Sequence, residues 1–250
     1  MSGHSKWHNI RLKKAKVDAQ RGKIFTKVAR EIIIAARNGG GDLAANQRLR
    51  DVVQKAREAS MPQDNITRAI QRGTGELTGV QYEEVVYEGY GPGGVAIMMQ
   101  ALTDNRNRTV SELRSIFGRH GGNLGEAGCV AWMFDPKGVI IVPRERIGED
   151  ELLEIVLDAG AQDMKTDRAS YEITTLPEDF ERVKAALAQR NITTESAEVT
   201  MVPQTTVTLA GKDSEQVLKL MDTLEDHDDI QHVYANFDIP ESVMEEAAVA

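Results

Sequence analysis

Gly138–Val142 (GVIIV), Glu149–Ala159 (EDELLEIVLDA), Asp163–Asp167 (DMKTD), Ser170–Thr175 (SYEITT), Pro177–Arg190 (PEDFERVKAALAQR) and Ala197–Val202 (AEVTMV) follow one another closely. The four short runs read as strands. The two longer ones repeat apolar residues with the helical period. Their order, β-α-β-β-α-β, is that of a ferredoxin-like domain. Downstream, Thr205–Leu209, Ser214–Leu224 and His232–Asn236 predict one more β-α-β. Upstream, Gly94–Leu102, a helix opening near Thr109 with Glu112 at capping-box spacing, and Gly128–Phe134 predict another. Joined, these halves make a second ferredoxin-like sheet into which residues 135–203 are inserted. Tyr82–Tyr87 is a further strand, linked by the glycine-rich segment Gly89–Gly94. No Gly-Lys-Ser/Thr follows that segment, so it reads as a turn rather than a phosphate cradle. Cys129, the single cysteine, is expected to face the core from the 128–134 strand.

Three helices precede the sheets. Lys23–Arg37 places Ile24, Phe25, Val28, Ala29, Ile32, Ala35 and Ala36 on one face, with Lys23, Lys27, Arg30 and Arg37 opposite. Asn38–Gly41 ends this helix, and Asp42 is the expected N-cap of a second helix reaching Ser60. Pro62 opens a third, which Gly73 and Gly75 close, and Arg68 and Arg72 lie one turn apart on it. The fold class is α+β, a three-helix N-terminal domain followed by two ferredoxin-like α/β domains, one inserted in the other. The expected boundaries are a basic mobile arm at 1–22, a helical nucleic-acid-binding domain at 23–77, a ferredoxin-like domain at 78–134 plus 204–240, its insertion at 135–203, and a frayed tail at 241–250.

Charge separates the front of the chain from the rest. The 250 residues carry 30 Lys+Arg and 39 Asp+Glu, yet residues 1–75 hold 16 basic and 6 acidic side chains. A basic module on an acidic body points to a polyanionic partner. The arm supplies Lys6, Arg11, Lys13, Lys14, Lys16 and Arg21, and the first helix continues the row with Lys23, Lys27, Arg30 and Arg37. Trp7 either stacks on an unpaired base or tucks against the helices. The cations themselves would neutralise phosphates, as would Arg68 and Arg72. Arg106 and Arg108, at the mouth of the helix opening near Thr109, either meet an external anion or pair with Glu83, Glu84 or Glu88.

Other chemistry is sparse. No nucleophile elbow, Walker loop or zincin motif is present, and no enzyme is expected. His4 and His8 have helical ligand spacing but no third ligand nearby, and Glu225–Asp229 lacks the turn glycine of a calcium loop, so it is expected to be a solvated loop. No metal, cofactor or small-molecule substrate is expected. One cysteine, no signal-like apolar run and no membrane span suggest a cytoplasmic protein with no membrane partner, read as a monomer.

A resemblance then sharpens the partner. Gly3–Trp7 followed by the basic run resembles the YebC family, as do Ala29–Ile33, Asn46–Arg50, Met61–Ile66, Arg68–Gly75, Tyr87–Gly94, Thr103–Thr109, Trp132–Phe134 and Lys137–Gly138. The blocks run in order through the first 140 residues. The resemblance implies a three-domain fold, helical domain first. It also implies a non-enzymatic, DNA-binding transcriptional regulator. The kinship extends to the mitochondrial translational activator of cytochrome c oxidase subunit I. That branch implies instead a ribosome-associated factor on rRNA that aids synthesis of difficult sequences such as proline runs.

Overall fold

The structure, a computed structural model, describes residues 18–167 and 169–239, with side chains from residue 22 onward. Among these residues the chain forms seven α-helices and ten strands. The arm to residue 17 and the tail from 240 lie outside them, as do His4 and His8.

Helix α1 (Asp18–Gly39) is flanked by α2 (Gln47–Glu58) and α3 (Gln63–Thr74). Its apolar stripe, Val28, Ile32, Ile33, Ala35 and Ala36, packs on Leu49, Val53, Ala56, Met61, Ile66 and Ala69. The second helix starts later than Asp42 predicts. Asp42 closes only a local turn, accepting from the Ala44 amide at 2.8 Å. The cap is Asn46, 7 % exposed, whose Oδ1 accepts from the Leu49 amide while its Nδ2 donates to Ala35 and Gly40 carbonyls. One buried amide thus satisfies three backbone groups at once, which an exposed carboxylate cannot do. Gly75 ends α3 in the left-handed region, at φ 84°. Gly73, expected to end it as well, instead lies inside the helix. A Cβ there would sit 2.5 Å from the Ile33 carbonyl, so this glycine is what lets α3 approach α1.

Strands β1 (Glu83–Tyr90), β2 (Ala96–Thr103), β3 (Asn123–Leu124) and β9 (Ile230–Ala235) form a sheet in the order β3-β1-β2-β9. Its pairings are antiparallel. Val95, Ile97, Met99 and Ala101 alternate onto the face covered by α4 (Arg106–Arg119) and α7 (Lys212–Glu225), meeting Leu113, Phe117, Val217 and Leu220. The sheet is assembled differently from the expected pair of β-α-β halves. Val207–Thr208 (β8) leaves it to pair in parallel with Phe237–Asp238 (β10). Its place is taken by β1.

Residues 128–133, expected to be a strand, are a turn and a 3-10 segment at Ala131–Met133. The cause is Glu88. Its buried carboxylate accepts the amides of Gly128, Val130 and Ala131 at 2.6, 2.7 and 2.7 Å, which folds the loop around one side chain. Burial alone would raise the Glu88 pKa, but these three amides hold it below the usual carboxylate value. Cys129 is accordingly only half-buried, with its thiol pushed upward by burial and by Glu88. Replacing Glu88 with Gln puts an NH2 group against a ring of donors. It is expected to cost about 2–4 kcal/mol in a denaturant titration; an unchanged midpoint would refute the carboxylate's organising role.

The remaining strands are β4 (Phe134–Pro143), β5 (Ala161–Thr166), β6 (Ser170–Thr175) and β7 (Ser196–Pro203). Helices α5 (Glu149–Asp158) and α6 (Phe180–Gln189) lie between them in sequence, and the sheet order is β5-β6-β4-β7. All three pairings are antiparallel, which is the ferredoxin-like arrangement read from the sequence. Ile140, Val142, Tyr171 and Ile173 pack on Leu152, Val156, Val183 and Leu187. No described helix is long and apolar enough to cross a membrane.

Candidate nucleic-acid interface

The sequence places Lys23, Lys27, Arg30 and Arg37 opposite the buried stripe of α1. The structure separates them. Three converge on the loop that follows α7. Lys23 lies 3.6 Å from the Asp226 carboxylate, and Lys27 donates to the Glu225 carbonyl at 2.6 Å. Arg30 donates through one nitrogen to the Asp228 carbonyl at 2.6 Å and to Asp229 Oδ1 at 2.8 Å, and its guanidinium lies over the Tyr82 ring at 5.1 Å. The segment Glu225–Asp229, expected to be a solvated loop, is therefore an internal counter-charge for the first helix. Two hundred residues of sequence separate the partners, so only the tertiary fold brings them together.

Asp229 is the centre of this junction and is 2 % exposed. Besides Arg30 it accepts from Arg108 at 2.8 Å, Thr109 at 2.8 Å and Thr103 at 3.2 Å. Burial would raise its pKa. The hydrogen bonds of Arg108 and Thr109, together with the charges of Arg108 and Arg30, outweigh that and hold it below the usual range.

The anion at the mouth of α4 is thus Asp229 itself. Arg108 is shared between Asp229 and Asp104, while Arg106 stays at the rim, 4.0 Å from Glu83. Asn105, rather than Thr109, caps α4, accepting from the Arg108 amide at 3.1 Å. Glu112 turns to His227 at 2.9 Å. The ligand atoms of Glu112, His227 and Asp229 lie within 4.8 Å of one another. Asp229's oxygens, however, are already engaged by two arginines and two threonines, which leaves the half-exposed Glu112 carboxylate as the trio's one accessible anionic group.

The other cations face outward. Arg37, Arg68 and Arg72 are exposed and have no ion pair or hydrogen bond among the described residues. Close packing at Gly73, whose Cβ would lie 3.2 Å from the Arg37 amide, brings the ends of α1 and α3 together, so Arg37 and Arg72 share one corner of the bundle. Lys6, Trp7, Arg11, Lys13, Lys14 and Lys16 lie outside the described residues, and so does the Arg21 side chain. Tyr82, Thr103, Thr109 and Asp229 were not legible as parts of a site. The one available signal was the density of caps and cations in Thr103–Thr109.

Residues 5–76 match the family described as "TACO1/YebC protein N-terminal domain", and residues 82–237 match "TACO1/YebC second and third domain". The chain is 58% identical over 241 residues to a "Probable transcriptional regulatory protein" of Pelotomaculum thermopropionicum, covering 96% of this chain and 99% of that one. It is also 58% identical over 248 residues to one of the same description from Natranaerobius thermophilus, covering 98% and 99%. The fold resembles the crystal structure of a conserved hypothetical protein from Aquifex aeolicus, with TM-score 0.79 and 50% identity over 90% of this chain and 93% of that one.

Proposed function

The chain belongs to the TACO1/YebC family, and from that premise we propose a non-enzymatic regulator of gene expression that grips DNA through its basic front end. The carrying observation is the exposed set Arg37, Arg68 and Arg72, with Arg37 and Arg72 at one corner of the bundle and Arg68 one turn before Arg72. These are arginines without internal partners among the described residues, on the same bundle that the basic arm enters. Phosphate contact needs only such exposed cations and a run of further basic residues, whereas base readout would need a helix offering side chains to a groove. The chemistry therefore favours strong, salt-sensitive binding with little sequence preference.

A second reading follows from that same point. No described helix stands out as a recognition helix, and cations that grip any phosphate backbone serve equally well on rRNA. The protein would then be a ribosome-associated translation factor aiding difficult sequences such as proline runs. Binding to a promoter duplex and to an rRNA fragment, titrated against salt, tests both. The expected log–log slope is steeper than about −4, because each DNA phosphate contributes roughly 0.9. A slope near zero for both polymers would end the nucleic-acid reading. Sedimentation of a lysate through sucrose at moderate salt then separates the two, since co-migration with ribosomes favours the second.

A further inference from the structure

We propose that the α1 face holding Lys23, Lys27 and Arg30 is a further polyanion-binding surface, occupied in this structure by the chain's own segment Glu225–Asp229, and that a nucleic-acid backbone displaces the exposed part of that segment, Asp226–Asp228, from these cations while Asp229 stays anchored. The inference rests on the reading that the arm grips a nucleic acid. The loop has the character of a substitute for such a backbone, with four carboxylates in five residues, at Glu225, Asp226, Asp228 and Asp229. The cations it meets are a ladder on one helix face, stepped by about 6 and 4.5 Å along the axis. A nucleic-acid strand presents charge on a similar scale, one phosphate per about 3.4 Å of helix axis.

The loop fits this ladder incompletely. Arg30 spends a single nitrogen on Leu102, Asp228 and Asp229, at 3.4, 2.6 and 2.8 Å. Its Nε is buried with no hydrogen-bond partner among the described residues. A phosphate can engage two edges of a guanidinium at once. Lys23 meets the loop at half-exposed side chains, where an ion pair contributes little. A groove of about 590 Å³ runs beside the contact, with Lys23, Arg30, Arg108 and Arg119 on its basic side.

Displacement leaves no buried charge stranded. When Arg30 turns to a phosphate, Asp229 keeps Arg108, Thr109 and Thr103. The arm is covalently continuous with α1, so a polymer already held by the arm reaches Lys23 and Lys27 at high effective concentration. The loop therefore sets a threshold. A short or weakly held anion leaves it in place, and a long polyanion anchored by the arm opens it.

The test uses the full chain with Asp226→Asn and Asp228→Asn combined, both exposed: the first removes the carboxylate that faces Lys23, and the second lowers the loop's charge while keeping the backbone carbonyl that Arg30 meets. Binding is followed with a short fluorescein-labelled DNA duplex and, in parallel, an RNA stem-loop. The double variant is expected to bind about three- to tenfold tighter at low salt, with a slope steeper by about 2. Lys23→Gln is expected to be nearly silent in the wild-type chain, where its exposed ion pair contributes little, and to remove most of the gain in the double variant. A general loss of negative charge would instead make Lys23→Gln equally effective in both backgrounds, and that outcome overturns the proposal. Unchanged affinity in the double variant overturns it too. If Lys13, Lys14 and Lys16 to Glu still weakens binding in that case, the arm reading stands alone. If it does not, both readings fall.

Discussion

Asp229→Asn is expected to lower the free energy of unfolding by about 3–5 kcal/mol, the cost of removing one side of a buried ion pair. The variant leaves Arg108 and Arg30 facing a neutral amide, and the new NH2 group points donors at donors. Asp229 also accepts from two threonines, so the substitution disturbs β2, α4 and the α1 junction together. A fall in melting temperature on the order of 10 °C corresponds to that cost for a chain of this size. The sign of the pH dependence follows from the lowered pKa. A carboxylate whose folded pKa lies below its unfolded value stabilises fully above the unfolded value, near 3.9, and loses that contribution as pH falls through the folded one. The gap between wild type and Asp229→Asn should therefore be constant from neutral pH to about 5 and close below about 4. A gap under about 1 kcal/mol at pH 7, or one that widens in acid, would remove Asp229 from the centre of the junction.

Reversing three charges of the arm, Lys13, Lys14 and Lys16 to Glu, is expected to weaken binding to either nucleic acid at least about a hundredfold at low salt, and to flatten the log–log slope by about 3. The second number is the more diagnostic. A folding defect lowers the active fraction without changing the slope, whereas losing three phosphate contacts removes three counterions' worth of salt dependence. Circular dichroism should be unchanged. Equal affinity and slope for the variant and the wild type would rule the arm out as the grip.

The inserted sheet was legible because each of its elements carries its own period and its core is built from neighbours in sequence, as in Ile140 and Val142 against Leu152 and Val156. The surrounding sheet was harder. Gly128–Phe134 is an apolar run with the composition of a strand, yet its amides are claimed by Glu88, some 40 residues earlier. Nothing within the run records that claim. Asp42 and Asn46 pose the same problem in miniature, since both are good caps and only burial decides between them. On the binding side, the helical row Lys23, Lys27 and Arg30 was visible, but its docking on Glu225–Asp229 was not, because that loop lies two hundred residues away and its composition suits water equally well. Arg37, Arg68 and Arg72 read the same in sequence as the docked cations. What distinguishes them is that no acidic segment of the body reaches them among the described residues.

Phe134 and Pro203, where the chain enters and leaves the inserted sheet, are directly paired across β4 and β7. Entry and exit therefore coincide in space, and the host sheet meets the insert as it would meet a single hairpin turn. A short turn joining those two positions would span the same gap, and no strand of the host sheet pairs with a strand of the insert.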